Sequence, residues 1–378
     1  MTIQPYPFVS VALSCFLFLC LAIAPLQAQR VALEMANHFG RIVQHTESIT
    51  IQNDRIVWGQ ELNLRVATHG EKDWQQWHRF PIFGLSLSHF GLGEGAHGDA
   101  YGFLPKLTVP ILRREKWFAH IDLGLGFGYI TKPYDYFDNP SQNAIGAHWN
   151  GFTQFRFGAE ARLNTHFRVL SGLSFSHFSN AGAALPNFGL NIPAGYCALA
   201  YSLRREPAYL RTGASKRVEG RRWGLQANVG LAYVEYIIFD GPRYPVWILS
   251  GGGTYAFNKA NRLVVGFDRE YNRSVYAWGL HSTAFPDEAT ARWGATRWAG
   301  FVADEFLFGD FGVQLQAGFY LGHKSINQYV LQPYYEKLIV RYYFPGLFGT
   351  AARPHVGIYL KAHKVVAEFI SVNVGAAF

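Results

Sequence analysis

The chain has 378 residues, 49% hydrophobic and 16% aromatic but only 16% charged, with 39 Gly, 31 Phe and 21 Tyr. That is too apolar for a disordered chain and too poor in charge for a helical bundle or coiled coil. The net charge is +8, but its one dense group (Arg204, Arg205, Arg211, Lys216, Arg217, Arg221 and Arg222) falls inside one apparent turn. That reads as a solvated loop, with no basic face for nucleic acid.

The chain opens on an apolar block, Val9 to Leu26, closed by Gln27-Ala28-Gln29. An apolar core, a helix-breaking Pro25 and a small residue predict a signal peptide over residues 1–28, cleaved after Ala28. Its first residues lack Lys or Arg, so a retained transmembrane anchor is the alternative. Of three cysteines, Cys15 and Cys20 lie in this leader, which leaves Cys197 as the single thiol and no intramolecular disulfide. No later apolar run is long enough for a spanning helix.

Beyond the leader the hydrophobic period is two. From Trp117 to Tyr129 the odd positions read Trp, Ala, Ile, Leu, Leu, Phe, Tyr, and the even ones Phe, His, Asp and glycines. Phe311–Leu321, Trp223–Tyr233 and the C-terminal Val366–Phe378 repeat the alternation. These segments exceed the ~5–6 residues usual in soluble strands and suit a tilted membrane crossing. Aromatic residues tip their apolar faces, and short links (Arg113–Lys116, Asn164–His166, Asn258–Asn261, Gly309–Phe311) alternate with long ones. Such asymmetry belongs to transmembrane barrels.

The predicted fold is therefore all-β, a transmembrane antiparallel β-barrel of about sixteen strands. The strands fall near 32–46, 60–67, 80–91, 100–113, 116–129, 146–164, 167–180, 189–205, 222–237, 244–258, 261–272, 293–309, 310–322, 333–346, 353–364 and 366–378. Twelve or fourteen are the lower counts. Residues 29–378 are expected to form one barrel, with 206–221 the best candidate for a linker if there were two.

One stretch carries chemistry: Gly172-Leu-Ser-Phe-Ser-His177-Phe-Ser179-Asn180-Ala-Gly182, followed by Pro186-Asn187-x-Gly189-x-Asn191. His177 and Ser179 stand two apart on a strand and share a face. A serine needs an adjacent base to act as a nucleophile, and imidazole has the right proton affinity. Both have the parity of Phe167, Val169, Leu173 and Phe175, which places the pair toward lipid at the external end of the strand. An interfacial pair contacting headgroups, with no chemistry, would have the same spacing.

The run resembles the outer-membrane lipid A 3-O-deacylase family, especially the long acyloxyacyl-hydrolase-like members of Bacteroidetes. Tyr129-Ile-Thr131-Lys132-Pro133-Tyr134-Asp135 and Asn143-Ala-Ile-Gly146-Ala-His148-x-Asn150 add to the likeness, which covers residues 32–205 and is most specific at 172–192. The resemblance implies an outer-membrane esterase that removes the 3-position acyl chain of lipid A, without metal or cofactor. It carries the His–Ser pair onto His177 and Ser179, and the oxyanion-hole asparagines onto Asn180 and Asn187. The family's acidic residue is a glutamate, and Asn191 stands at that position here. An asparagine can hold a histidine tautomer but cannot stabilise imidazolium with charge; Asp135 or Asp138 is the candidate carboxylate from elsewhere. The implied partner is lipid A or lipopolysaccharide. The alternative reading is a non-catalytic barrel, a channel or scaffold derived from such an enzyme.

Other patterns fall away. Ser250-Gly251-Gly252-Gly253 opens a strand and lacks the lysine of a phosphate loop. His38, His45, His89, His120 and Lys361-Ala-His363-Lys364 have no metal-ligand spacing and read as polar-face or girdle residues. Glu160, Glu235, Asp268 and Glu368 are expected to face the lumen and pair with Lys or Arg, although Glu235 and Glu368 have the parity of their apolar neighbours.

Overall fold

Alternation decides which side of each strand meets lipid. The computed structural model describes residues 31–378 except 45–46, 48, 50–54, 94–96, 206–207, 236–240, 323–331, 347–351 and 364–365. The expected signal peptide, His45 and Lys364 thus lie outside the described residues. Sixteen strands follow in order. The first eight are β1 (Val31–Gly40), β2 (Val57–Ala67), β3 (Ile82–Gly93), β4 (Gly98–Arg113), β5 (Trp117–Ile130), β6 (Trp149–Arg162), β7 (Phe167–Ser179) and β8 (Leu190–Ser202). Then come β9 (Trp223–Glu235), β10 (Arg243–Asn258), β11 (Asn261–Asn272), β12 (Thr296–Phe308), β13 (Phe311–Tyr320), β14 (Tyr334–Tyr343), β15 (Arg353–His363) and β16 (Val366–Ala377). In β7 the odd residues Phe167, Val169, Leu173 and Phe175 are exposed, while Arg168, Ser174 and Ser176 are buried inside. An apolar outside around a polar inside is the pattern of a membrane barrel.

The count of sixteen agrees with the sequence, but the single barrel does not. β8 closes on β1, pairing Leu199 with Met35, and β9 closes on β16, pairing Val229 with Val374. The chain thus forms two closed eight-stranded barrels. The basic segment read as a turn, residues 203–222, is the connection between them. Strand parity and turn length are the same whether a strand closes on the first or continues to a ninth, so neither could reveal the closure.

Closure at eight strands also removes the wide lumen on which a channel would depend. A barrel of this size is just wide enough for side chains to fill. In the first barrel Arg65 bridges Glu34 and Glu160 at 3.1 and 2.7 Å, and Arg156 bridges Glu34 and Asp122, each at 2.8 Å. Lys106 and His38 both contact Glu61. The second barrel repeats the device with Lys337–Asp268 at 2.6 Å and Arg262–Glu305 at 2.7 Å. Glu160 and Asp268 therefore pair inside as expected.

The parity of Glu368 has a local cause. Lys361 pairs with Phe369 and Ala362 with Ala367, so Glu368 is an extra residue on its strand. This bulge turns the carboxylate inward, to Arg297 at 2.5 Å and Lys361 at 3.1 Å. Glu235 departs from the expectation: it is buried at an outward position of β9.

Removing one member of such a network leaves buried charge unpaired. Arg156→Met is expected to destabilise the first barrel by about 3–5 kcal/mol, because Glu34 and Asp122 both lose a partner. Urea unfolding of the protein in detergent micelles measures it; a loss below ~1 kcal/mol would mean that the network carries no such weight.

The two barrels run side by side in the same sense. At the end with the short turns, a helix α1 (Asp73–Trp77) leads to His78, whose Nε2 lies 2.8 Å from Leu307 O and whose ring stacks on Phe308 at 4.1 Å. The connecting segment is tied to both barrels there, through Leu210 N–H to His69 O at 2.7 Å and Lys259 N–H to Lys216 O at 2.8 Å. At the opposite end lie the long loops. The loop after β11 holds two helices that alternation did not predict, α2 (Arg273–His281) and α3 (Glu288–Gly294). Asn272 and Asp287 cap them, accepting from Ser274 N–H and Thr290 N–H.

Candidate active site

β7 ends at Ser179, and the chain returns to β8 through residues 180–189 at the long-loop end of the first barrel. His177 lies directly across from Asn191 in the β7–β8 register, so the two side chains share the outward face. Their contact is 2.6 Å, from His177 Nδ1 to Asn191 Oδ1. An amide oxygen only accepts, so Nδ1 carries the proton and Nε2 presents the lone pair. This is the tautomer a general base needs.

Gly189 closes against the same ring. It adopts φ +85°, and a Cβ there would lie 2.8 Å from His177 Cε1. Its N–H donates to Ala144 O at 2.9 Å. The β5–β6 loop (residues 131–148) therefore packs over the site, and a Cβ on Gly146 would lie 2.4 Å from the Leu185 carbonyl. At the end of that loop His148 Nδ1 lies 2.8 Å from Ile130 O, and from the start of β6 Asn150 Nδ2 donates to Ala147 O at 2.7 Å. These two residues brace the loop.

Ser179 is buried where the strand bends. Its Oγ accepts from Asn187 Nδ2 at 2.9 Å and from Ala181 N–H at 3.1 Å. Ala181 has φ +50°, the change of backbone hand that turns the strand into the loop. Asn187 Oδ1 also accepts the Asn180 N–H at 3.0 Å. Asn180 Oδ1 accepts from Ala184 N–H at 3.1 Å, while its buried Nδ2 has no hydrogen-bond partner among the described residues.

The five residues singled out in the sequence fall in one hairpin as two hydrogen-bonded sets, His177 with Asn191 and Ser179 with Asn180 and Asn187. In the second set Ser179 Oγ also lies 3.2 Å from Asn187 Oδ1, to which it can donate. Asp135 is used locally: it accepts from Phe137 N–H and Asp138 N–H, each at 2.8 Å. Those two amides hold its carboxyl below its ordinary value. Asn191, and not this aspartate, stands at His177 Nδ1.

Toward the membrane from the pair, the outward face is a groove of about 920 Å³ lined by Phe39, Phe155, Leu173, Phe175 and Pro193. It is open because Gly195, across from Leu173, has no side chain and nothing within 4 Å of where a Cβ would be.

Two family models match the chain. One, described as lipid A 3-O-deacylase, covers residues 58–200, and the other, described as the C-terminal domain of acyloxyacyl hydrolase, covers residues 221–378. Among solved structures, the outer membrane enzyme PagL is similar at 16% identity with a TM-score of 0.30, covering 44% of this chain and 97% of that one. A Rhodopseudomonas blastica porin is 10% identical with a TM-score of 0.17, covering 92% and 99%. CdiB from Acinetobacter baumannii is 8% identical with a TM-score of 0.20, covering 93% and 60%. No curated protein matches the sequence. The first matched segment falls within the first barrel and the second spans the other. The chain is an outer-membrane β-barrel protein whose first barrel matches the lipid A 3-O-deacylase family and whose second matches the acyloxyacyl hydrolase C-terminal domain.

Proposed function

We propose that the protein is a serine esterase of the outer membrane that releases the ester-linked acyl chain at the 3-position of lipid A. The contact between His177 Nδ1 and Asn191 Oδ1 carries the reading, since it presents the basic nitrogen on the outward face that Ser179 shares. Ser179 Oγ attacks the acyl carbonyl and its proton passes to His177 Nε2. The tetrahedral oxyanion takes hydrogen bonds from Asn180 Nδ2, the donor left without a partner, and from Asn187 Nδ2. His177 returns the proton to the departing sugar hydroxyl. Water, deprotonated by His177, then cleaves the acyl-enzyme and releases the fatty acid. The acyl chain lies in the outward groove, where Phe175 and Pro193 meet hydrocarbon as they would in the bilayer.

Mass spectrometry of lipid A from cells expressing the protein tests the proposal. One hydroxyacyl chain fewer per lipid A is expected, with a serine-directed lipase probe labelling Ser179. Unchanged lipid A together with an unlabelled protein would favour a scaffold, and stepwise conductance in planar bilayers would favour a channel.

Asn191 makes a second prediction. Imidazolium forms as Ser179 attacks, so a negative charge at Nδ1 stabilises the transition state more than the ground state. Asn191→Glu is expected to raise the deacylation rate at least ~10-fold, a modest share of the ~10⁴ that the acid contributes in serine triads. Asn191→Ala should fall below wild type, because it removes the tether on the ring. Rates equal to wild type in both variants would refute the role given to Asn191.

A further inference from the structure

Glu235 sits at an outward position of β9, in phase with the exposed Leu225, Val229 and Tyr233, yet it is buried. A carboxylate facing lipid needs a partner, and this one finds it on the other barrel. Its carboxylate accepts the Leu185 N–H at 2.5 Å, and its own N–H donates to Gly182 O at 2.8 Å. Both contacts fall on the 180–189 loop. Gly182 lies two residues after Asn180, and Leu185 two before Asn187, so Glu235 grips the turn between the two asparagines. The turn has no room to shift toward the second barrel, since a Cβ on Gly182 would stand 3.1 Å from Glu368 O. On its other side Gly146 packs against Leu185. Ala184, next to Leu185, donates to Asn180 Oδ1, which links the gripped backbone to the side chain carrying the unmet donor.

We propose that Glu235 is a positioning residue of the esterase site, so that the second barrel completes the active site of the first. The inference rests on the proposed deacylation for its kinetic readout. An ionised carboxylate bonded to a backbone N–H is among the stronger hydrogen bonds, and it fixes the loop without touching substrate. The loop could not be held this way by a first barrel alone, since β9 supplies the carboxylate.

The test uses the full chain, refolded in detergent micelles, with Glu235→Ala and Glu235→Gln. Glutamine keeps an oxygen able to accept from Leu185. In Glu235→Ala the Leu185 amide is expected to exchange at least ~10-fold faster, since local opening sets exchange. Its kcat on lipid A should fall ~10-fold with KM changed less than ~2-fold, because misplacing oxyanion donors affects the transition state more than binding. Glu235→Gln should restore both to within ~3-fold of wild type, an amide oxygen being a weaker but competent acceptor. A purely structural role would instead lower protection throughout β9–β16 and would not be rescued selectively at Leu185. Wild-type exchange at Leu185 in Glu235→Ala would overturn the proposal, as would faster exchange with unchanged kcat. A wild-type protein without deacylase activity would refute the proposed reaction, and the Leu185 exchange rate would then decide the grip of Glu235 by itself.

Discussion

Ser179→Ala is expected to lower the rate of acyl release by ~10³-fold or more, since removing the nucleophile from a serine site leaves only binding and oxyanion stabilisation. The loss must be separated from a change in the loop. Ser179 Oγ accepts from Asn187 Nδ2 and Ala181 N–H, and alanine leaves both donors without that acceptor. Two measurements make the separation. The outward groove does not involve Ser179, so KM should change little while kcat collapses. The serine-directed probe should fail to label the variant. Fatty-acid release from lipid A in mixed micelles gives the rate, and a value within ~3-fold of wild type would remove Ser179 from the chemistry, because loss of a true nucleophile is never that mild.

The next largest effect is expected from a residue with no side chain. Gly189→Ala places a methyl 2.8 Å from His177 Cε1 on a backbone at φ +85°. The left-handed conformation costs an L-residue roughly 1–2 kcal/mol, and the contact is too close to persist. The ring cannot yield freely, because Asn191 holds Nδ1 at 2.6 Å and Gly189 is itself held through Ala144. The imidazole is therefore expected to leave the position that Asn191 sets for it. A displacement approaching 1 Å costs ~10²-fold in rate, so kcat should fall ~10–100-fold with the barrel still folded. Single-turnover kinetics alongside thermal unfolding distinguishes this from simple destabilisation. A variant that loses stability but keeps its kcat would show that Gly189 serves the loop and not the ring.

Much of the architecture was legible in the chain because a strand in a bilayer obeys a strict period. Leu173 and Phe175 must face lipid and Arg168 and Ser174 the interior, so parity alone orients β7 and puts His177 outward. The alternation of short and long links puts Ser179 at the long-loop end of its strand. The motif is local, so the sequence also confined the five candidate residues to one hairpin, but it could not show that His177 bonds to Asn191 while Ser179 bonds to Asn187. The sheet closure was not legible. Hydrogen bonding between β8 and β1 leaves no mark in either strand's pattern, and the basic residues 203–222 read equally well as a turn or a link between barrels. The same limit hid the partner of Glu235. Its parity signalled an anomaly, but Leu185 lies 50 residues earlier in the chain, on the other barrel. Glu368 showed the same anomaly with a different resolution, a bulge that turned it inward. Period-two reasoning sees one strand at a time, while packing between barrels and register shifts depend on which surfaces meet, and only the folded chain decides that.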